Sequence, residues 1–237
     1  MSFIGNFFYL ILYQPLFNIL VLLCKYLPWN DLGLAIITLT VLIKLALYPL
    51  GAKAIKSQKA LAKIQPKIKE IQEKFKSDKE AQGRETLALY KREKINPFSG
   101  IAVLLIQLPI LIALYQLFWK GIGPDQMNNL YAFMSFSGQV NLNFLGFLNL
   151  GGPNWAIALI AGVLQYWQAK MLAPKKTQKK TSDFSDQMQK QMTIFMPGFT
   201  FLLLLSIPSA LGLYWITTTL FTIIQQYFVF KADNNTK

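Results

Sequence analysis

Charge is unevenly distributed along this chain. Its 24 Lys and Arg and 11 Asp and Glu gather mainly in two stretches, 53–94 and 170–190, and leave apolar blocks near 20 residues long elsewhere. A helix of about 20 apolar residues crosses a hydrocarbon core of roughly 30 Å. A soluble domain of this length would carry more charge and interrupt its apolar runs more often. With 53% hydrophobic residues and a mean hydropathy of +0.34, the chain reads as an all-α polytopic membrane protein.

The inventory also removes much chemistry. The sequence has no His, which excludes Ser-His-Asp and Cys-His catalysis and His-ligated metal sites. Cys24 is the single cysteine, so no internal disulfide or CxxC site forms. The carboxylates fall outside the apolar blocks, whereas proton-coupled transporters carry their ion on an intramembrane acid or His. Neither an enzyme nor a cofactor is expected.

The blocks order as follows. Residues 1–31 hold an apolar helix interrupted by Gln14, Pro15 and Asn18. With Lys25, the two polar residues lie near one face, which favours a helix lying in the membrane interface over a span. Five spanning segments follow, at 32–52, 98–119, 155–172, 192–207 and 210–230. Segment 53–97 between the first two reads as a charged helical hairpin: Leu61, Ile64, Ile68, Ile71 and Phe75 recur at helical spacing, Ser77-Asp78-Lys79 makes a turn, and Pro66 is expected to bend the first arm. Thirteen Lys and Arg in 53–94 and six in 170–190 contrast with the loop 120–154, whose one basic residue is Lys120. The positive-inside rule then places the hairpin, the basic loop 173–191 and the tail 231–237 in the cytoplasm, with the amino terminus outside. The hairpin is either a solvated connector or a landing site for anionic partners such as ribosomal RNA or lipid headgroups.

Lys44 is the one charge in the interior of a predicted span; Lys170 lies at the end of another. A lysine near the bilayer centre costs about 2.5–3.5 kcal/mol on insertion scales, so it faces a polar cavity or reaches for the interface. It lies about six residues, roughly 9 Å, from the inner end, so its stem is long enough to snorkel. Thr40, one turn earlier on the same face, extends a polar stripe that favours a wet groove. Gln107, Gln116, Gln165, Gln168, Thr217, Thr218, Thr219, Gln225 and Gln226 add uncharged polar groups to other spans. Most such groups hydrogen-bond neighbouring helices.

The segment Thr40-Val41-Leu42-Ile43-Lys44-Leu45-Ala46-Leu47-Tyr48-Pro49-Leu50 resembles the first core helix of the YidC insertases, where the intramembrane cation is usually Arg. Gln65-Pro66-Lys67-Ile68, Leu89-Tyr90-Lys91 before Asn96-Pro97, and Leu105-Ile106-Gln107-Leu108-Pro109-Ile110 match in order. So do Leu159 to Tyr166, Met192 to Pro197, and the diagnostic hairpin Ile207-Pro208-Ser209-Ala210-Leu211-Gly212-Leu213-Tyr214-Trp215 with Phe221 to Gln226. The form is similar to compact bacterial members. The large outer domain and extra first helix of Gram-negative members have no counterpart in these residues.

This resemblance implies a bacterial plasma-membrane insertase and chaperone. Its five-helix core encloses a hydrophilic groove that is open to the cytoplasm and to lipid and sealed outward. Lys44, Thr40 and Tyr214 take the groove positions, with Gln107, Trp215 and Thr218 as further candidates. Nascent membrane proteins would be the substrates, with apolar segments sliding along the second and fourth helices. Lipids are expected partners, and the ribosome and Sec translocon would engage 53–94 and 173–191; DNA is not a partner. Lys in place of Arg keeps the charge and loses the guanidinium fork. A chaperone without insertion activity is the alternative; a small-solute transporter fits less well, lacking intramembrane acids and broken helices in paired halves.

Overall fold

The computed structural model describes residues 3–96, 99–136, 139–173 and 191–235; the basic loop, apart from its two edges, lies outside the described residues. Helices α1 (Phe3–Phe8) and α2 (Gln14–Tyr26) flank a π-helical turn, Tyr9–Tyr13. α3 is Leu32–Ala46, α4 Tyr48–Lys74 and α5 Lys79–Arg92. α6 (Ser99–Lys120) and α7 (Trp155–Leu172) enclose a segment with a 3-10 turn, Pro124–Asn129, and a hairpin of β1 (Asn143–Phe144) and β2 (Leu148–Asn149). A second π-helical turn, Gln191–Phe195, leads into α8 (Met196–Leu204), and α9 (Ser209–Asn235) ends the described chain.

The helix expected across 32–52 stops at Ala46. Pro49 is the cause: in a continuous helix its ring would strike the Leu45 carbonyl and leave that carbonyl without a donor. Leu47 takes up the break (φ −88, ψ 3), and α4 leaves at 71° to α3 with Pro49 tolerated in its first turn. The first arm of the charged hairpin therefore starts at Tyr48. Pro66 lies inside α4, and the helix assignment continues through it. Ile64, Ile68 and Leu89 form the hairpin's own buried cluster. Lys67 bonds Glu93 across the arms at 2.6 Å, and that bond holds the Glu93 carboxyl below its ordinary range. The arm is pinned to α9 as well: the Lys59 ammonium lies 2.7 Å from the Asp233 carboxylate and 4.8 Å over the Phe230 ring.

The main core joins α2, α3, α6 and α9 through Phe17, Leu20, Ile36, Leu114 and Leu211. α7 packs on α8 and α9 at glycines. A Cβ on Gly162 would crowd the Pro197 carbonyl at 3.3 Å, and one on Gly212 would collide with Ile157. Gln14, Asn18 and Lys25, which share a helix face in sequence, turn to the segment after α6. Gln14 and Asn18 both donate to the Asn129 carbonyl, and Lys25 donates to that of Ser135. By length and composition, Gly5–Tyr26 is the one helix among the described residues able to cross a membrane; the bent pair α3–α4 adds a second if counted as one span.

Asp31 organises the opposite end of α3 from Lys44. Fully buried, its carboxylate accepts from the Gly33 and Leu34 amides at 2.7 and 3.1 Å, capping α3. Its other oxygen accepts from the Leu145 amide at 2.7 Å and ties the β-hairpin to the helix. Removing the carboxylate strands three donors. We expect Asp31→Ala to cost about 3 kcal/mol and Asp31→Asn, which keeps one acceptor oxygen, distinctly less. Thermal unfolding of the detergent-solubilised protein measures both.

Candidate groove around Lys44

Lys44 sits in the last turn of α3, just before the break. With Leu47, Leu50 and Gly51 beyond the break, Ile106 and Gln107 of α6, and Gln225 of α9, it lines a cavity of about 30 Å³. That is room for a water or two and not for a polypeptide segment. Lys44 is half-buried, and its ammonium has no hydrogen-bond or ion-pair partner among the described residues. A cation held this way among apolar side chains binds whatever anionic or strongly polar group can reach it.

The polar neighbours are amides and hydroxyls. Gln107 donates to the Tyr214 hydroxyl, which bridges α6 to α9 beside the cavity. Gln225 donates to the Tyr48 carbonyl at 2.8 Å, tying α9 to the first turn of α4. Gly51 is what lets that amide approach, since a Cβ there would lie 2.9 Å from its Oε1.

The six sequence candidates divide. Lys44 and Gln107 meet in the cavity, and Tyr214 joins them through Gln107. Thr40 is buried, and its hydroxyl donates to the Ile36 carbonyl at 2.6 Å, inside its own helix. Trp215 turns to α7, where its indole donates to Gln165 at 3.3 Å. Thr218 lies one turn beyond Tyr214, its carbonyl accepting from the Thr222 hydroxyl at 2.8 Å. Neither Thr40, Trp215 nor Thr218 lines the cavity. Gln225 and Gly51 complete it; the sequence marked Gln225 only as an uncharged polar group within a span and not as a groove candidate, and did not mark Gly51. The available signal was that Gln225 lies three turns from Tyr214 on one face of α9. Among the described residues no group of three or more His, Cys, Asp or Glu is placed to hold a metal.

Apolar helices here close on a cation that, among the described residues, has no charged partner and is lined by uncharged amides. The model of a family described as 60Kd inner membrane protein matches residues 24–236. The chain belongs to this family, which gives its class, an α-helical inner-membrane protein. Its resemblance to the YidC insertases holds against individual relatives too. It is similar to the membrane protein insertase YidC of Francisella tularensis subsp. novicida (strain U112) and to that of Francisella tularensis subsp. tularensis (strain WY96-3418). Each is 35% identical over 197 residues, which is 83% of this chain and 32% of the relative. It is also similar to a crystal structure of an active YidC insertase with the first transmembrane domain resolved. The TM-score is 0.58 at 27% identity, covering 96% of this chain and 46% of the solved one. The match thus spans about a third of the curated relatives' length.

The Gln225–Tyr48 bond and the bare Gly51 act as one unit at the break. Gly51→Ala and Gln225→Ala should each cost about 1 kcal/mol, and the pair together less than the sum, because either change already removes the same bond. A double-mutant cycle on thermal unfolding checks this; strict additivity would separate the two residues.

Proposed function

We propose that this chain is a membrane protein insertase whose working part is the Lys44 cavity, opened toward the cytoplasm. The observation that carries the reading is the unpaired ammonium at the α3–α4 break, flanked by apolar surface. On α6, Leu105, Leu108 and Ile112 are exposed at spacings of three and four; on α8, Phe199, Leu202 and Leu203 are exposed. These stripes supply a path along which an apolar segment leaves for lipid while the cation holds a polar or acidic portion of the same nascent chain. Binding and release suffice, and no bond in the substrate is made or broken.

In this reading α3, α6, α7, the Gln191–Leu204 helix and α9 are the five spans, with the α4–α5 hairpin and the basic loop in the cytoplasm and the amino terminus outside. The Phe3–Tyr26 helix lies in the outer interface. What supports this placement is that the segment after α6 contacts it from Tyr9, which bonds Asn129, to Lys25, which bonds Ser135. Those residues are about 24 Å apart along the axis. A helix crossing the bilayer would meet an outer loop only at one end. The hairpin would receive substrates, the ribosome or the Sec translocon through its lysines.

Wild-type protein in proteoliposomes should insert a small single- or double-spanning test protein. Lys44→Ala should lower the yield roughly tenfold, and Lys44→Arg should retain it, because the charge is what the groove needs and guanidinium preserves it. Equal insertion by Lys44→Ala would make Lys44 a snorkelling residue. A wild type that prevents aggregation of the test protein yet inserts none would favour a folding chaperone.

A further inference from the structure

Far from Lys44, at the Asp31 end of α3, two apolar residues occupy backbone conformations that bulky side chains avoid. Trp29 has φ 59 and is 73% exposed. Leu145 has φ 51 and, with Gly146 at φ 83, occupies the first two positions of the three-residue loop between β1 and β2, where a positive φ favours Asn, Asp or Gly. Left-handed backbone at a non-glycine residue costs roughly 1 kcal/mol or more. Here it results in apolar side chains directed outward, with Phe147 of the same hairpin 78% exposed. In water this would be strain without return.

The two turns are built as one piece. Asp31 closes the first and accepts the Leu145 amide of the second; the Leu32 amide donates to the Asn141 carbonyl at 3.0 Å, and that of Asn141 donates to Asn30 at 3.0 Å. Phe144 packs on Gly33 beneath them. The platform is uncharged at its surface: Asp31 is buried, and no charged residue occurs between Asp125 and Lys170. Trp155 opens α7 at the same end, 68% exposed, and the apolar surface continues from it along Leu159, Ile160 and Val163. Exposed Trp and Phe without net charge, continuous with an apolar helix face, have the composition of the headgroup–acyl boundary.

We infer that Trp29, Leu145 and Phe147 form a rigid wedge seated in the outer leaflet, its partner the uncharged lipid interface. Through Asp31 and α3, the wedge fixes how deep Lys44 sits at the far end of the same helix. This rests on the membrane orientation given above and adds a lipid contact that orientation alone does not require.

The test is nitroxide labelling of the full chain in phosphatidylcholine vesicles, in a Cys24→Ala background. Phe147→Cys and Trp29→Cys are compared with Leu202→Cys as lipid reference and Ser77→Cys as water reference. Relative to Ser77, labels at 147 and 29 should show a several-fold higher ratio of oxygen to water-soluble nickel collisions. The same ratio should persist when anionic lipid is added. A ratio like that of Ser77, with Leu202 still lipid-like, overturns the wedge alone; a water-like Leu202 overturns the spanning reading and the wedge with it. Shielding of 147 from both reagents with dipolar broadening assigns the surface to a second copy of the chain and also overturns the proposal.

Discussion

Where α3 gives way to α4, the chain turns by 71° at Leu47, and the rest of the molecule is arranged around that turn. Pro49 disfavours a continuous helix there, and the chain breaks, whereas Pro66 and Pro109 lie inside helices that continue. The break takes the path out of the apolar packing before the lysine-rich arm begins. It leaves Lys44 in the last turn of α3 and the Tyr48 carbonyl at the head of α4. That carbonyl already accepts within α4, and its second lone pair takes a donor from Gln225 of α9. The last helix is thereby anchored to the break, and Gly51 sets how closely it can come.

Polar groups of the packed helices have two uses. Some join helices or bond their own backbone, as Gln107, Trp215 and Thr40 do, and others gather where helices begin, end or bend, where backbone groups lack partners. Asp31 caps α3, Asn154 caps α7 through the Ala156 and Ile157 amides, and Ser209 bonds the Asn149 and Gly152 carbonyls at the turn before α9. Lys44 does neither. It sits beside a break without serving the backbone, and among the described residues no carboxylate pairs with it. A group that contributes nothing to packing and is disfavoured by its surroundings is where function is most economically sought.

Two ends of α3 are therefore specialised differently. One end is tied down by a buried carboxylate, a two-stranded hairpin and backbone bonds, and presents aromatic residues outward. The other opens at a proline break onto a small cavity and a charged arm. The Lys59–Asp233 pair and the Lys67–Glu93 pair hold that arm against α9 and against its own return helix. Both pairs are partly exposed and contribute modestly to stability.

The sequence by itself determined the helical class, the apolar blocks, the buried face of the hairpin's first arm at Ile64 and Ile68, and the place of Lys44 within an apolar run. These depend on periodicity and charge, which are local properties of the chain. Tertiary structure decided the rest. That Leu89 and not Leu87 completes the hairpin's cluster came from the structure. Gln14, Asn18 and Lys25 made an amphipathic face in sequence, but the Asn129 and Ser135 carbonyls that occupy it come from more than a hundred residues away. Thr40 lies near Lys44 on one helix and yet bonds its own backbone, while Gln225, 181 positions on, enters the cavity. Which partner a polar side chain meets is set by how helices cross, and the crossing is fixed by glycine contacts and one proline break whose effect depends on what packs against it.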